Sequence, residues 1–110
     1  MLRAPLPLLS VLLVAALSAG CSTFNEDKTA GWSPDKIYSE ARDEMNGGAY
    51  DKAVPLLEKL EGRAAGTALA QQAQLDKAYA QYKTGDRAQA IATLERFLKL
   101  HPTSPAADYA

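Results

Sequence analysis

The sequence holds one cysteine and one histidine in 110 residues. A lone cysteine, Cys21, excludes an internal disulfide and any multi-cysteine zinc site. A lone histidine, His101, leaves metal catalysis and Ser–His–Asp chemistry short of parts, and no phosphate-binding glycine loop is present. An excess of either sign of charge is missing as well: 12 Lys and Arg stand against 13 Asp and Glu, for a net charge of −1. There is no basic footprint, so nucleic acid is not the expected partner. Long apolar runs are also missing. The longest, Leu6 to Leu17, covers twelve positions and is broken by Pro7 and Ser10, against the roughly 20 residues a membrane-spanning helix needs. The expected protein is not an enzyme, binds no metal, and is one domain at most.

What is present begins with a leader. Residues 1–20 carry Arg3, the short apolar run, and then Ser18, Ala19 and Gly20. That is the layout of a secretory signal peptide, set aside before any fold reasoning. Leu17-Ser18-Ala19-Gly20-Cys21 resembles a bacterial lipobox, although Ser18 stands where most lipoboxes have Leu. The resemblance implies covalent diacylglycerol and an N-acyl chain on Cys21, with no other cofactor. Two or more acyl chains anchor stably where one does not. Ser22 follows the cysteine instead of Asp, which by the same resemblance implies the outer membrane. Residues 21–33 then read as a polar, flexible tether, with Trp32 expected to pack on the first helix.

From Ser33 the pattern turns helical. Ser33-Pro34-Asp35 offers an N-cap and a proline at the first helical position. Ile37, Tyr38, Ala41 and Met45 recur at helical spacing until Gly47-Gly48. A second run places Tyr50, Ala53, Val54, Leu57 and Leu60 on one face and ends at Gly62, with Pro55 inside it expected to cause a local kink. The turn between the runs is too short for anything but an antiparallel hairpin. The hairpin then recurs 37 residues later. Gly48, Ala53, Leu57 and Glu58 reappear as Gly85, Ala90, Leu94 and Glu95, while Ala41 maps to Ala78, Met45 to Tyr82, Val54 to Ile91 and Leu60 to Phe97. Alanines at 41, 53, 78 and 90 let paired helices approach, and the glycines suit a left-handed turn.

These residues resemble the tetratricopeptide repeat, whose usual unit is about 34 residues. The first unit offers Ala41, Gly48-Ala49-Tyr50, Ala53 and Leu57; the second offers Ala78, Gly85, Ala90, Leu94 and Pro102. Arg87 replaces the aromatic before the last helix, and extra residues fall around Gly62 to Thr67. The expectation is an all-α fold of tetratricopeptide-like hairpins stacked as an α-solenoid. Its first repeat is 34–67, its second is 68–103, and residues 104–110 begin a third, since Ser104-Pro105 echoes Ser33-Pro34. Arrays of this kind generally need about three units, so the sequence reads as the amino-terminal part of a longer protein.

More specific stretches narrow the resemblance. Ser-Pro-Asp-Lys-Ile-Tyr from Ser33, Leu75-Asp-Lys-Ala-Tyr-Ala-Gln-Tyr-Lys83 and Arg96-Phe-Leu-Lys-Leu-His-Pro102 are similar to the BamD, or ComL-type, family of outer-membrane assembly lipoproteins. That resemblance implies a non-enzymatic subunit of the β-barrel assembly (BAM) complex, lipid-anchored at the periplasmic face of the outer membrane. It implies a BamA-type barrel protein, other BAM lipoproteins and unfolded outer-membrane proteins as partners. Another periplasmic repeat lipoprotein, related to the cell envelope or to division, is the alternative. In such stacks the first helix of each hairpin lines a concave wall, which makes Tyr38, Arg42, Met45, Leu75, Tyr79, Tyr82 and Lys83 candidates for a peptide groove. Tyr and Met at helical spacing also serve as packing between neighbouring hairpins. His101, after a helix end, is expected to cap or to face solvent.

Overall fold

The computed structural model describes residues 27–110. The expected signal peptide at 1–20, the lipobox-like string and Cys21 lie outside the described residues. The chain divides into an amino-terminal unit, Met1–Ala30, and a second unit, Gly31–Ala110. Of the first, the described part is a turn in which the Asp27 carboxylate accepts hydrogen bonds from the Thr29 backbone N–H (2.9 Å) and hydroxyl (2.6 Å).

The second unit holds four helices: α1 (Pro34–Asn46), α2 (Tyr50–Arg63), α3 (Ala68–Lys83) and α4 (Arg87–Leu100). No strand occurs among the described residues. Helix starts follow their caps. The Ser33 hydroxyl accepts from Lys36 N–H at 3.2 Å, Thr67 from Ala70 N–H at 3.2 Å and Asp86 from Gln89 N–H at 3.4 Å, each satisfying one of the orphan donors of a first turn. Helix α2 continues one residue past Gly62 and runs through Pro55 without a break. Its proline sits early in the helix and is exposed, where losing one backbone bond does the least harm.

Both hairpins close by the same device. Gly48 and Gly85 take φ of +81° and +88°. Ala49 N–H then bonds back to Glu44 C=O (2.8 Å) and Asp86 N–H to Gln81 C=O (2.9 Å). These are the wide bonds of a Schellman motif, and glycine is the residue that reaches that φ without strain. Corresponding atoms in the two motifs lie 37 residues apart, so the sequence repeat is a repeat of structure.

Each helix packs on the next: α1 on α2, α2 on α3, α3 on α4. Ile37, Ala41, Ala53, Leu57 and Leu60 are fully buried in one cluster with Met45, Ala64 and Ala73. Trp32 packs on the edge of that cluster, with Lys36 Nζ 4.8 Å from its ring. The second hairpin buries Ala78, Ala80, Ala90 and Phe97, and the Thr93 hydroxyl donates to Gln81 Oε1 at 2.7 Å within it. The echo of Ser33-Pro34 is only partial. Pro105 to Tyr109 form turns rather than a helix, and the Ser104 hydroxyl accepts from Ala106 N–H, two residues on instead of three.

Helix α3 has hairpin neighbours on both sides, and four of its polar residues are buried accordingly: Gln74, Asp76, Lys77 and Gln81. Buried polar groups must be bonded. Asp76 accepts from Tyr38 Oη through Oδ2 and from Gln72 Nε2 through Oδ1, both at 3.0 Å. Lys77 Nζ donates to Glu61 Oε2 at 2.9 Å. The second Glu61 oxygen is buried with no partner.

Two outcomes test this packing. Phe97→Ala removes a fully buried ring and should cost about 3–5 kcal/mol in denaturant unfolding, while Leu98→Ala, on an exposed side chain, should cost far less. The second concerns Tyr38, whose hydroxyl is held above the usual tyrosine range by burial, then by the Asp76 charge and hydrogen bond, with Arg42 opposing. A raised folded value means the neutral phenol is the stabilised form. Its contribution is present below the ordinary tyrosine pKa and is lost as pH rises through the folded value. Tyr38→Phe should remove a late-titrating part of the phenolate absorbance, and Asp76→Asn should move that part of the way back.

Candidate functional site

Residues on α1 and α3 that face the same way leave a groove between them of about 690 Å³. Arg42, Met45 and Asn46 come from α1, Tyr50 from the start of α2, and Gln72, Leu75, Asp76 and Tyr79 from α3; Ala106 and Tyr109 add the carboxyl-terminal turn. A second groove of about 640 Å³ adjoins it between α3 and α4, walled by Leu75, Ala78, Tyr79, Tyr82, Arg87, Ala90, Ile91 and Leu94, with Tyr109 again. Leu75, Tyr79 and Tyr109 therefore belong to both.

The two differ in character for a reason visible in the repeat. In the first hairpin Met45 and Leu57 are buried, because α3 covers that face. Their equivalents in the second hairpin are Tyr82, which is 56% exposed, and Leu94, which is half-buried. Ile91 is 55% exposed. The second groove is thus apolar, while the first combines an apolar floor (Met45, Leu75) with Asp76, Gln72, Asn46 and the exposed Arg42. Tyr50 and Tyr79 meet edge to face, their ring centres 5.9 Å apart, which fixes both rings against the groove wall.

The seven candidate residues divide. Arg42, Met45, Leu75 and Tyr79 line the first groove, and Leu75, Tyr79 and Tyr82 the second. Tyr38 and Lys83 line neither. Tyr38 is turned to Asp76, and Lys83 is exposed with Nζ 5.7 Å from the Tyr50 ring. Met45 and Leu75 are at once floor and packing, being 8% and 5% exposed. Sequence reasoning missed Asp76, Gln72, Asn46 and Tyr109. The first two carried a usable signal, since Gln72 and Asp76 are i,i+4 neighbours in a helix otherwise dense in alanine. His101 is half-buried; its ring tilts against Phe97 at 5.3 Å, and its backbone N–H donates to Phe97 C=O.

Chemically, the grooves offer apolar and aromatic walls, amide groups, the Asp76 carboxylate and the guanidinium groups of Arg42 and Arg87. No group of three or more His, Cys, Asp or Glu suited to a metal occurs among the described residues, and none of the described helices is long and apolar enough to cross a membrane. Such walls suit an extended peptide with large apolar side chains.

Known proteins place this architecture. The chain is 47% identical over 107 residues to the outer membrane protein assembly factor BamD of Neisseria gonorrhoeae, an alignment covering 94% of this chain and 40% of that protein. It is 40% identical over 101 residues to the BamD of Vibrio cholerae, covering 92% and 42%, and 34% identical over 102 residues to that of Haemophilus influenzae, covering 93% and 38%. The chain thus spans about two fifths of the length of these curated relatives, which are named as outer membrane protein assembly factors. Residues 31–110, all four helices and both grooves included, match the YfiO family of outer membrane lipoproteins, and the chain belongs to that family.

Proposed function

We propose that this chain is part of a non-enzymatic lipoprotein subunit of the β-barrel assembly (BAM) machinery, and that its two grooves hold a segment of an unfolded outer-membrane protein. The observation that carries the reading is the aromatic wall shared by the two grooves, with Arg42 on the polar side and an apolar bed on the other. Strands of outer-membrane barrels alternate apolar and polar side chains and carry aromatic residues at their ends. An extended strand laid across α3 sets its aromatic side chains against Tyr79, Tyr82 and Ile91. Arg42 is placed to pair with a terminal carboxylate, a charge-assisted bond of the strong kind. The BamD names of the relatives support the assembly role, with a BamA-type barrel protein and other BAM lipoproteins as partners in the complex.

In this reading residues 1–20 are the signal peptide and Cys21 is the acylated anchor that leads through a polar tether to the helices at the periplasmic face of the outer membrane. A multiply acylated cysteine is a lasting attachment, and the family's description as outer membrane lipoproteins supports it.

Photo-crosslinkers at Tyr79 and Tyr82 should capture a peptide from the last strand of a barrel protein well above a crosslinker at Glu95, an exposed α4 position outside both grooves. Equal labelling at all three counts against the grooves. Arg42→Ala should weaken binding of that peptide about tenfold, the equivalent of a hydrogen bond to a charged group, and should leave a carboxyl-amidated peptide unaffected. Mass spectrometry of the mature protein should find diacylglycerol and an acyl chain on Cys21; an unmodified cysteine removes the anchor.

A further inference from the structure

Helix α3 meets the first hairpin through two consecutive charged residues. Asp76 and Lys77 are 8% and 4% exposed. Neighbouring residues on a helix point about 100° apart, and these two reach different helices. Asp76 is bonded to Tyr38 of α1 at 3.0 Å, and Lys77 to Glu61 of α2 at 2.9 Å. One turn of α3 is therefore tied to both members of the first hairpin at once. The first groove has α1 on one side and α3 on the other, so its width is the spacing that this double tie fixes.

Stability alone does not account for the choice of residues. An ion pair withdrawn from water, here with the Lys77 side chain 5% and the Glu61 side chain 24% exposed, contributes no more in general than well-packed apolar side chains of the same volume. Glu61 also keeps one buried oxygen without a partner, which is a further cost. What charged hydrogen bonds supply and apolar packing does not is direction. Alanine-rich contacts tolerate sliding and small rotations; a 3.0 Å bond to one carboxylate oxygen does not. Gln72, which donates to the other oxygen of Asp76, stops that carboxylate from turning away.

We infer that Asp76 and Lys77 form a two-sided clamp that sets the angle between the hairpins and holds the peptide groove at its working width. Lys77 and its partner Glu61 line neither groove and position α3 from outside it; Asp76 lines the first groove and positions α3 through Tyr38, which lines neither. The inference rests on the peptide-binding reading for its purpose but not for its geometry.

The test uses the full-length chain with Cys21→Ser and spin labels on cysteines placed at Asp43 on α1 and Ala68 on α3, both exposed. The parent should give one narrow distance distribution. Lys77→Met combined with Glu61→Leu, which removes both charges and keeps the volume, should retain helix content and melting temperature yet broaden the distribution. Tyr38→Phe, which removes a single hydroxyl, should broaden it independently. Peptide affinity should fall about five- to tenfold in each. Distributions as narrow as the parent's in both variants overturn the clamp, as does a lowered melting temperature with unchanged width, the mark of a merely stabilising pair. Broadened distributions in a protein whose parent form binds no barrel peptide leave the clamp standing and remove the peptide-binding reading instead.

Discussion

Two helices approach closely only where the side chains between them are small, and the spacing they reach is set by what lies at the crossing. In this molecule the crossings are made by alanine. Ala41 and Ala53 are fully buried between α1 and α2, Ala73 lies in the same cluster, and Ala78, Ala80 and Ala90 are buried in the second hairpin. Everything larger is arranged around those contacts. Leu57, Leu60, Ile37 and Phe97 fill the flanks with no exposed surface, and the central helix, enclosed on both sides, carries its polar groups inward where each must find a partner. A bulkier residue at any of these crossings meets a packed interior with little room to adjust.

The sequence made much of this legible because the repeat doubles each signal. A glycine at 48 alone is ambiguous. A glycine recurring at 85, with alanine five residues on in both cases, identifies a turn followed by a helix crossing, and the two turns share their bonds. Trp32 was legible for a simpler reason: a large ring just ahead of an N-cap has the first helix within reach. The family resemblance rested on similarly local strings. Less was visible where the answer depends on which helices become neighbours. Nothing in the sequence marks Asp76 and Lys77 as buried, and only the enclosure of α3 makes them so. Tyr38 has the right spacing for a groove residue, but its hydroxyl is within reach of a buried carboxylate and turns there. Ser104-Pro105 repeats the letters of Ser33-Pro34 without the same capping bond, because a cap is made by the residue three positions ahead adopting helical geometry, and the chain there is in turns.

The candidate site follows from the same asymmetry. The first hairpin has its large apolar residues covered by α3; the second presents Tyr82, Ile91 and Leu94 uncovered or half-covered. A groove of mixed polarity therefore adjoins an apolar one, although both arise from one repeated pattern. The difference comes from position in the stack.

Tyr79 stands at the boundary, a wall of both compartments while its edge rests on Tyr50. Neighbouring residues of one bound strand would share a single partition, so the seat taken by one on its face constrains how the next can lie against the other. Affinity for such a strand would then not be a sum of independent side-chain preferences, and substituting one of its residues would alter how strongly the adjacent one is felt.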